Sequence, residues 1–154
     1  MNRWFTWMGV VVLVTLFSGC LASPVAKSGG PGSITIQNTN AFAIAAAAQT
    51  VFPGYGYTSG PGRLPDSISF DRPAGRTGEL MYGSYNNPTT FRVRLRMVPI
   101  TGTRDIRVTT QVFRVSNAGR SGFEQEVPMM RTWSSQFNAI LRQIQSIAEN
   151  AGPI

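Results

Sequence analysis

Apolar and polar residues alternate without interruption from Phe91 to Met97: Phe91, Val93, Leu95 and Met97 interleave with Arg92, Arg94 and Arg96. Successive side chains of a strand point to opposite faces, so a period of two predicts a half-buried β-strand with one apolar and one arginine-bearing face. A second strand is predicted over "DIRVTTQVF" (105–113), after a polar turn around "TGTR". Placing Ile100 opposite Asp105 brings Met97 opposite Val108, Leu95 opposite Thr110 and Val93 opposite Val112. Both apolar sets then share a face, whereas a slip of one residue would turn one of them into water. The opposite face carries Arg92, Arg94, Arg96 and Arg107, with Thr109, Gln111 and Phe113.

The period changes in "TWSSQFNAILRQIQSIAENAGPI", where Phe137, Ile140, Leu141, Ile144, Ile147, Ala148 and Ala151 fall on one side at helical spacing. Thr132 to Ser135 offer caps, and Asn150, Gly152 and Pro153 close the segment, so a helix is predicted over about 134–151. A second helix, about 41–52, is predicted from the alanine-rich "AFAIAAAAQTVF", with Asn38, Thr39 and Asn40 as N-cap candidates and Pro53-Gly54 as a stop. Its small face, Ala45 to Ala48, lets it lie close to a sheet. Short strands are read at "SITIQ", "YGYTSG" and "SISFDRP". The expected fold class is α+β, an antiparallel sheet of about four to five strands with two helices packed on it. This order of strand, helix, several strands and a long final helix resembles the helix-grip arrangement, in which a bent sheet grips the last helix. That resemblance implies a cavity for an apolar ligand as one functional possibility, while the strong final stripe and the small alanine face predict a closed core.

The N-terminal stretch has neither period. After Arg3, the uncharged run Trp4–Phe17 is 14 residues long, short of the roughly 20 that a spanning helix needs. Ser18, Gly19 and Cys20 follow, in the order of a secretory signal. The "FSGC" end resembles the lipobox of bacterial lipoproteins, with Phe17 where that family usually has Leu and Leu16 one place early. The resemblance implies a diacylglycerol on the Cys20 thiol, cleavage before Cys20 and acylation of the new amine. Residues 1–19 would be the signal peptide and Cys20 the lipidation site, tying the protein to a membrane. Leu21 in place of aspartate resembles the outer-membrane sorting class, and the expected location is the outer membrane, facing the periplasm. Cleavage after Ala22, or retention of the run as an anchor helix, are the alternatives. The Ser/Gly/Pro-rich stretch ending at Ser33 reads as a flexible tether, giving a tether over 20–33 and one domain over 34–154.

Fourteen basic residues face seven acidic ones across the chain, and without Arg3 the excess is six. Histidine is absent and Cys20 is the only cysteine, which removes the usual general base, zinc-finger ligands and thiol or serine–histidine catalysis once Cys20 is lipidated. No metal or cofactor site is expected, and an enzyme is disfavoured. Glu124 and Glu126, two apart in "FEQEV", point the same way on a strand; they could serve as a glycosidase pair or neutralise arginines such as Arg120 or Arg131. "GYGYTSGPGR" (54–63) lacks the Lys-Ser/Thr ending of a phosphate loop and reads as a connector. Tyr55, Tyr57, Tyr82 and Tyr85 suit either a stacking surface or turn packing. Arginine forks hold carboxylate and phosphate in bidentate fashion, so Arg92, Arg94, Arg96 and Arg107 form a candidate face for an anionic partner; the alternative is a solvated outer face. An exported address argues against nucleic acid. The expected function is a non-enzymatic, membrane-anchored binding or scaffold module docking on another envelope protein or an anionic polymer, the alternative being a carrier of a lipid-like ligand.

Overall fold

The longest elements are two strands of a hairpin, β4 (Thr89–Pro99) and β5 (Ile106–Ser116), and every other element is arranged about them. The computed structural model describes residues 32–82, 88–120 and 122–151; the signal segment, Cys20, the tether up to residue 31 and Tyr85 lie outside the described residues. In chain order the remaining elements are β1 (Ser33–Ile36), α1 (Ala41–Val51), β2 (Thr58–Ser59), β3 (Ser67–Pro73), α2 (Gly75–Tyr82), β6 (Gln125–Pro128) and α3 (Asn138–Asn150). Short 3-10 turns at Phe52–Tyr55 and Arg131–Phe137 lead out of α1 and into α3.

The hairpin register follows the apolar pattern: Met97 pairs with Val108, Leu95 with Thr110 and Val93 with Val112, and the Ile100 N–H donates to the Asp105 carbonyl at 2.9 Å. The sheet is antiparallel in the order β1-β5-β4-β3-β2. β1 pairs with residues 106–109 of β5 and β6 with residues 113–116, so the two short strands lie end to end along one edge of β5. The β1 half of that edge is blunted by α3, whose Asn138, Gln145 and Glu149 side chains bond the Gly32 N–H, the Thr35 carbonyl and the Gln37 N–H. Such capping blocks pairing with another chain.

Helices α1 and α3 cover one face of the sheet. Asn40 caps α1, its side-chain oxygen accepting from the Ala43 N–H at 2.8 Å, and Ala47 and Ala48 are buried where the helix approaches its neighbours. Ile36, Ile44, Phe52, Phe70, Val93, Leu95, Val108, Leu141 and Ile144 form the fully buried centre, each contributing about 1.5–3 kcal/mol by leaving water. Phe52 stacks on Phe70 with centroids 4.1 Å apart, and Tyr57 meets Phe52 edge-on at 5.4 Å. These rings fill the space between sheet and helices.

The fold is α+β as expected, with three α-helices where two are predicted. The extra one, α2, contains Gly75 and Gly78, poor helix formers by themselves; Gly78 lies so close to Phe91 that a Cβ there would sit 3.3 Å from the ring. The final α-helix begins at Asn138, later than predicted. In the turn before it the Ser134 hydroxyl donates to the Thr110 carbonyl, and Gly32 lies so close that a Cβ there would clash with Ser134. Among the described residues no helix is long and apolar enough to cross a membrane.

Candidate functional site

Strand pairing alone sorts the residues of the sheet face opposite α1 and α3. Cross-strand partners share a face, so its rows read Asp71–Arg92–Phe113–Pro128, Ser69–Arg94–Gln111, Ser67–Arg96–Thr109–Ser33 and Val98–Arg107–Thr35. The four candidate arginines are on this face as predicted, but they fall into two groups with different chemistry.

Arg92 is a buried clasp, with 2 % of its side chain exposed. Its Nε and Nη2 donate to Asp71 at 2.8 and 2.7 Å in a bidentate fork. Nη1 donates to Glu124 and, at 2.7 Å, to Glu126; Nη2 also reaches Glu124 at 3.4 Å. Guanidinium has five N–H donors, and these five bonds use the whole set. Arg94 holds both oxygens of Glu126 at 2.8 and 2.9 Å and lies over the Phe113 ring at 4.6 Å. The expectation that Arg92 and Arg94 stand free for a partner is therefore corrected. Glu124 and Glu126 fold onto them from β6 and the β5–β6 loop, and Asp71 does so from β3. The acidic pair neutralises Arg92 and Arg94, and the suggestion of Arg120 as its partner is corrected too.

The electrostatics follow from this packing. The hydrogen bond to Asp71 is the strongest influence on Arg92 and, with those to Glu124 and Glu126, raises its pKa although burial opposes the charge. Glu124 is held below the ordinary carboxyl range by Arg92 and by the Gly119 N–H, 3.0 Å away. Burial works against ionising Glu126, yet the hydrogen bonds from Arg92 and Arg94 outweigh it and its pKa is also lowered. A glycosidase acid needs the opposite shift, a carboxyl kept protonated near neutrality. Among the described residues no three such groups are placed to hold a metal ion.

Beside the clasp is an open cleft of about 530 Å³, lined by Asp71, Arg92 and Glu124 together with Gly60, Pro61, Gly119 and Gly122. Here "GYGYTSGPGR" acts as a connector: the Gly60 N–H donates to the Ser69 carbonyl at 2.8 Å, and a Cβ on Gly60 would meet the Asp71 carboxylate at 2.8 Å. Of its tyrosines, Tyr57 is buried in the core and Tyr55 is exposed. Burial raises the Tyr57 pKa, with Arg72, stacked 4.7 Å from its ring, acting against it.

Toward the β4–β5 hairpin the same face changes character. Arg96 and Arg107 are exposed, as are Arg104 in the turn and Arg63 beside the start of β3. Among the described residues none of the four forms an ion pair. Asp66 and Asp105 are the carboxylates nearest them in sequence, and Asp105 accepts from the Asn38 N–H. The outer face is thus polarised, with paired charges at one end and uncompensated arginine at the other. Asp71 could be read from the sequence, because setting Phe70 inward turns Asp71 to the arginine side. Compared with protein-family models, curated proteins and solved structures, the chain matches none of them.

Proposed function

We propose that this chain is a non-enzymatic lipoprotein of the bacterial cell envelope, anchored through lipidated Cys20 and docking a carboxylate- or phosphate-bearing partner on the hairpin end of its outer sheet face. The observation that carries the reading is that Arg96 and Arg107 are exposed and, among the described residues, form no ion pair, on a sheet face that α1 and α3 leave uncovered. They are diagonal neighbours across β4 and β5, so their forks can engage adjacent anionic groups. Arg92 and Arg94 serve the fold, which narrows the docking face to Arg96 and Arg107 with Arg104 at its border. The partner is another envelope protein or an anionic envelope polymer. A carrier of apolar ligands is disfavoured by the rings of Phe52, Phe70 and Tyr57 packed between sheet and helices.

The test compares Arg96→Glu/Arg107→Glu with Arg142→Glu, an exposed site on α3, in the full-length protein. Cross-linking in intact envelopes identifies a protein partner, and co-sedimentation with isolated cell-wall sacculi identifies a polymer. The double variant should lose the interaction while Arg142→Glu keeps it; equal behaviour of the two would refute the docking face. Intact mass and membrane flotation of wild type beside Cys20→Ala test the anchor separately.

A further inference from the structure

Strand pairing sets hydroxyls beside the exposed arginines of the outer face. The bridge between Arg63 and Ser67 extends one row to Arg63–Ser67–Arg96–Thr109–Ser33, and the next row toward the hairpin reads Val98–Arg107–Thr35. Neighbouring strands are about 4.8 Å apart, so Ser67 and Thr109 flank Arg96, Ser67 also adjoins Arg63, and Thr35 adjoins Arg107. Ser33, Thr35, Ser67 and Thr109 are half-buried, so each is open to a ligand lying on the face. Among the described residues none of these four hydroxyls is hydrogen-bonded within the protein, whereas those of Thr50, Thr58 and Thr103 each donate to a carbonyl. Arg92 and Arg94 are surrounded by carboxylates that the fold supplies; Arg63, Arg96 and Arg107 have beside them only alcohols whose donors are unspent.

We infer that the group this face takes is a phosphate monoester, carried by an envelope polysaccharide. The inference rests on the docking face proposed above and narrows its partner. A phosphate presents three strong acceptor oxygens in a tetrahedron, more than one planar guanidinium fork reaches, so hydroxyl donors at the sides of the fork complete its shell. Arginine together with Ser and Thr hydroxyls is also the set that holds phosphate oxygens along nucleic-acid backbones. A carboxylate has two oxygens in one plane, and a single fork spans both, as that of Arg94 does with Glu126; flanking hydroxyls add less to it. Arg96 and Arg107, as diagonal neighbours about 7–8 Å apart, can share one phosphate or hold two on adjacent sugars. A folded protein partner fits the face less well. Val98 is the one large apolar side chain in the two rows, and the buried centre of a protein interface is apolar.

The test measures binding of the full-length protein, held in detergent micelles, to dextran phosphate and to carboxymethyl dextran of matched charge. Both polymers share one backbone, so only the anion differs, and about 150 mM salt screens attraction beyond about 8 Å. Wild type is compared with Ser67→Ala/Thr109→Val and with Arg96→Glu/Arg107→Glu, each checked for folding by its melting curve. Wild type should bind dextran phosphate about tenfold more tightly, the worth of one hydrogen bond to a charged group. The hydroxyl variant should lose most of that preference and keep its affinity for carboxymethyl dextran, and the arginine variant should bind neither polymer. Equal affinity of wild type for the two polymers, lost in the arginine variant, would overturn the phosphate and leave the docking face standing. Binding of both polymers by the arginine variant as well as by wild type would refute the docking face and the phosphate with it. Wild type that binds vesicles containing phosphatidic acid but not dextran phosphate would overturn the polysaccharide as the carrier. Should the hydroxyl variant fail to fold, the preference of wild type between the two polymers decides by itself.

Discussion

Replacing Arg92 by methionine keeps much of the apolar stem of the side chain and deletes the five donors that hold Asp71, Glu124 and Glu126 together. The three carboxylates would then converge with only Arg94 nearby, and Arg94 already serves Glu126. Removing one partner of a buried ion pair costs about 3–5 kcal/mol. The carboxylates keep 18–26 % exposure and can rehydrate, so the lower end, about 3 kcal/mol, is the expected loss. For a domain near 120 residues each kcal/mol moves Tm by about 4 °C, which predicts a fall of about 12 °C at neutral pH. Arg96→Met, at an exposed position on the same face, should change stability by no more than about 0.5 kcal/mol. Thermal unfolding of both full-length variants followed by circular dichroism makes the comparison. Adding Asp71→Asn to Arg92→Met should restore part of the loss, because one repelling charge is gone. A fall no larger than that of Arg96→Met, or no recovery in the double variant, would refute the view of Arg92 as the clasp of the outer face.

Acid should loosen the same clasp. Because the Glu124 and Glu126 pKa values are lowered in the folded state, the unfolded chain binds more protons once pH falls below the ordinary value of 4.5. Their contribution is therefore fully present above that pH and is lost as pH falls through their folded values; melting curves across this window should decline less steeply for Glu124→Gln than for wild type. Gly60→Ala should cost about 1 kcal/mol, since its Cβ would meet the Asp71 carboxylate at 2.8 Å, and the loss should largely vanish in an Asp71→Ala background. Leu141→Asp buries a charge at a position 1 % exposed; it should abolish cooperative unfolding at room temperature, and a well-folded variant would contradict the packing of α3 on the sheet.

Much of this architecture is a consequence of local pattern. The alternation from Phe91 to Met97 rules out a one-residue slip against the next strand, the turn around "TGTR" sets the register, and the stripe from Phe137 to Ala148 meets an apolar sheet, so hairpin and final helix are legible without coordinates. Asn40 is likewise readable as a cap, because its side chain serves an amide three residues on. Other features depend on residues that periodicity does not connect. α2 has two glycines and little intrinsic preference for helix, and it rests on Phe91, a contact supplied by another element. The sequence by itself determined that Arg92, Arg94, Arg96 and Arg107 share a face; only the tertiary structure decided which of them meet water. Asp71, Glu124 and Glu126 reach Arg92 across separations of 21, 32 and 34 residues. A strand's period reports the side a residue points to, whereas its solvation depends on what the rest of the chain brings to that side, and the fold of β6 and its loop over the sheet settles that for Arg92 and Arg94.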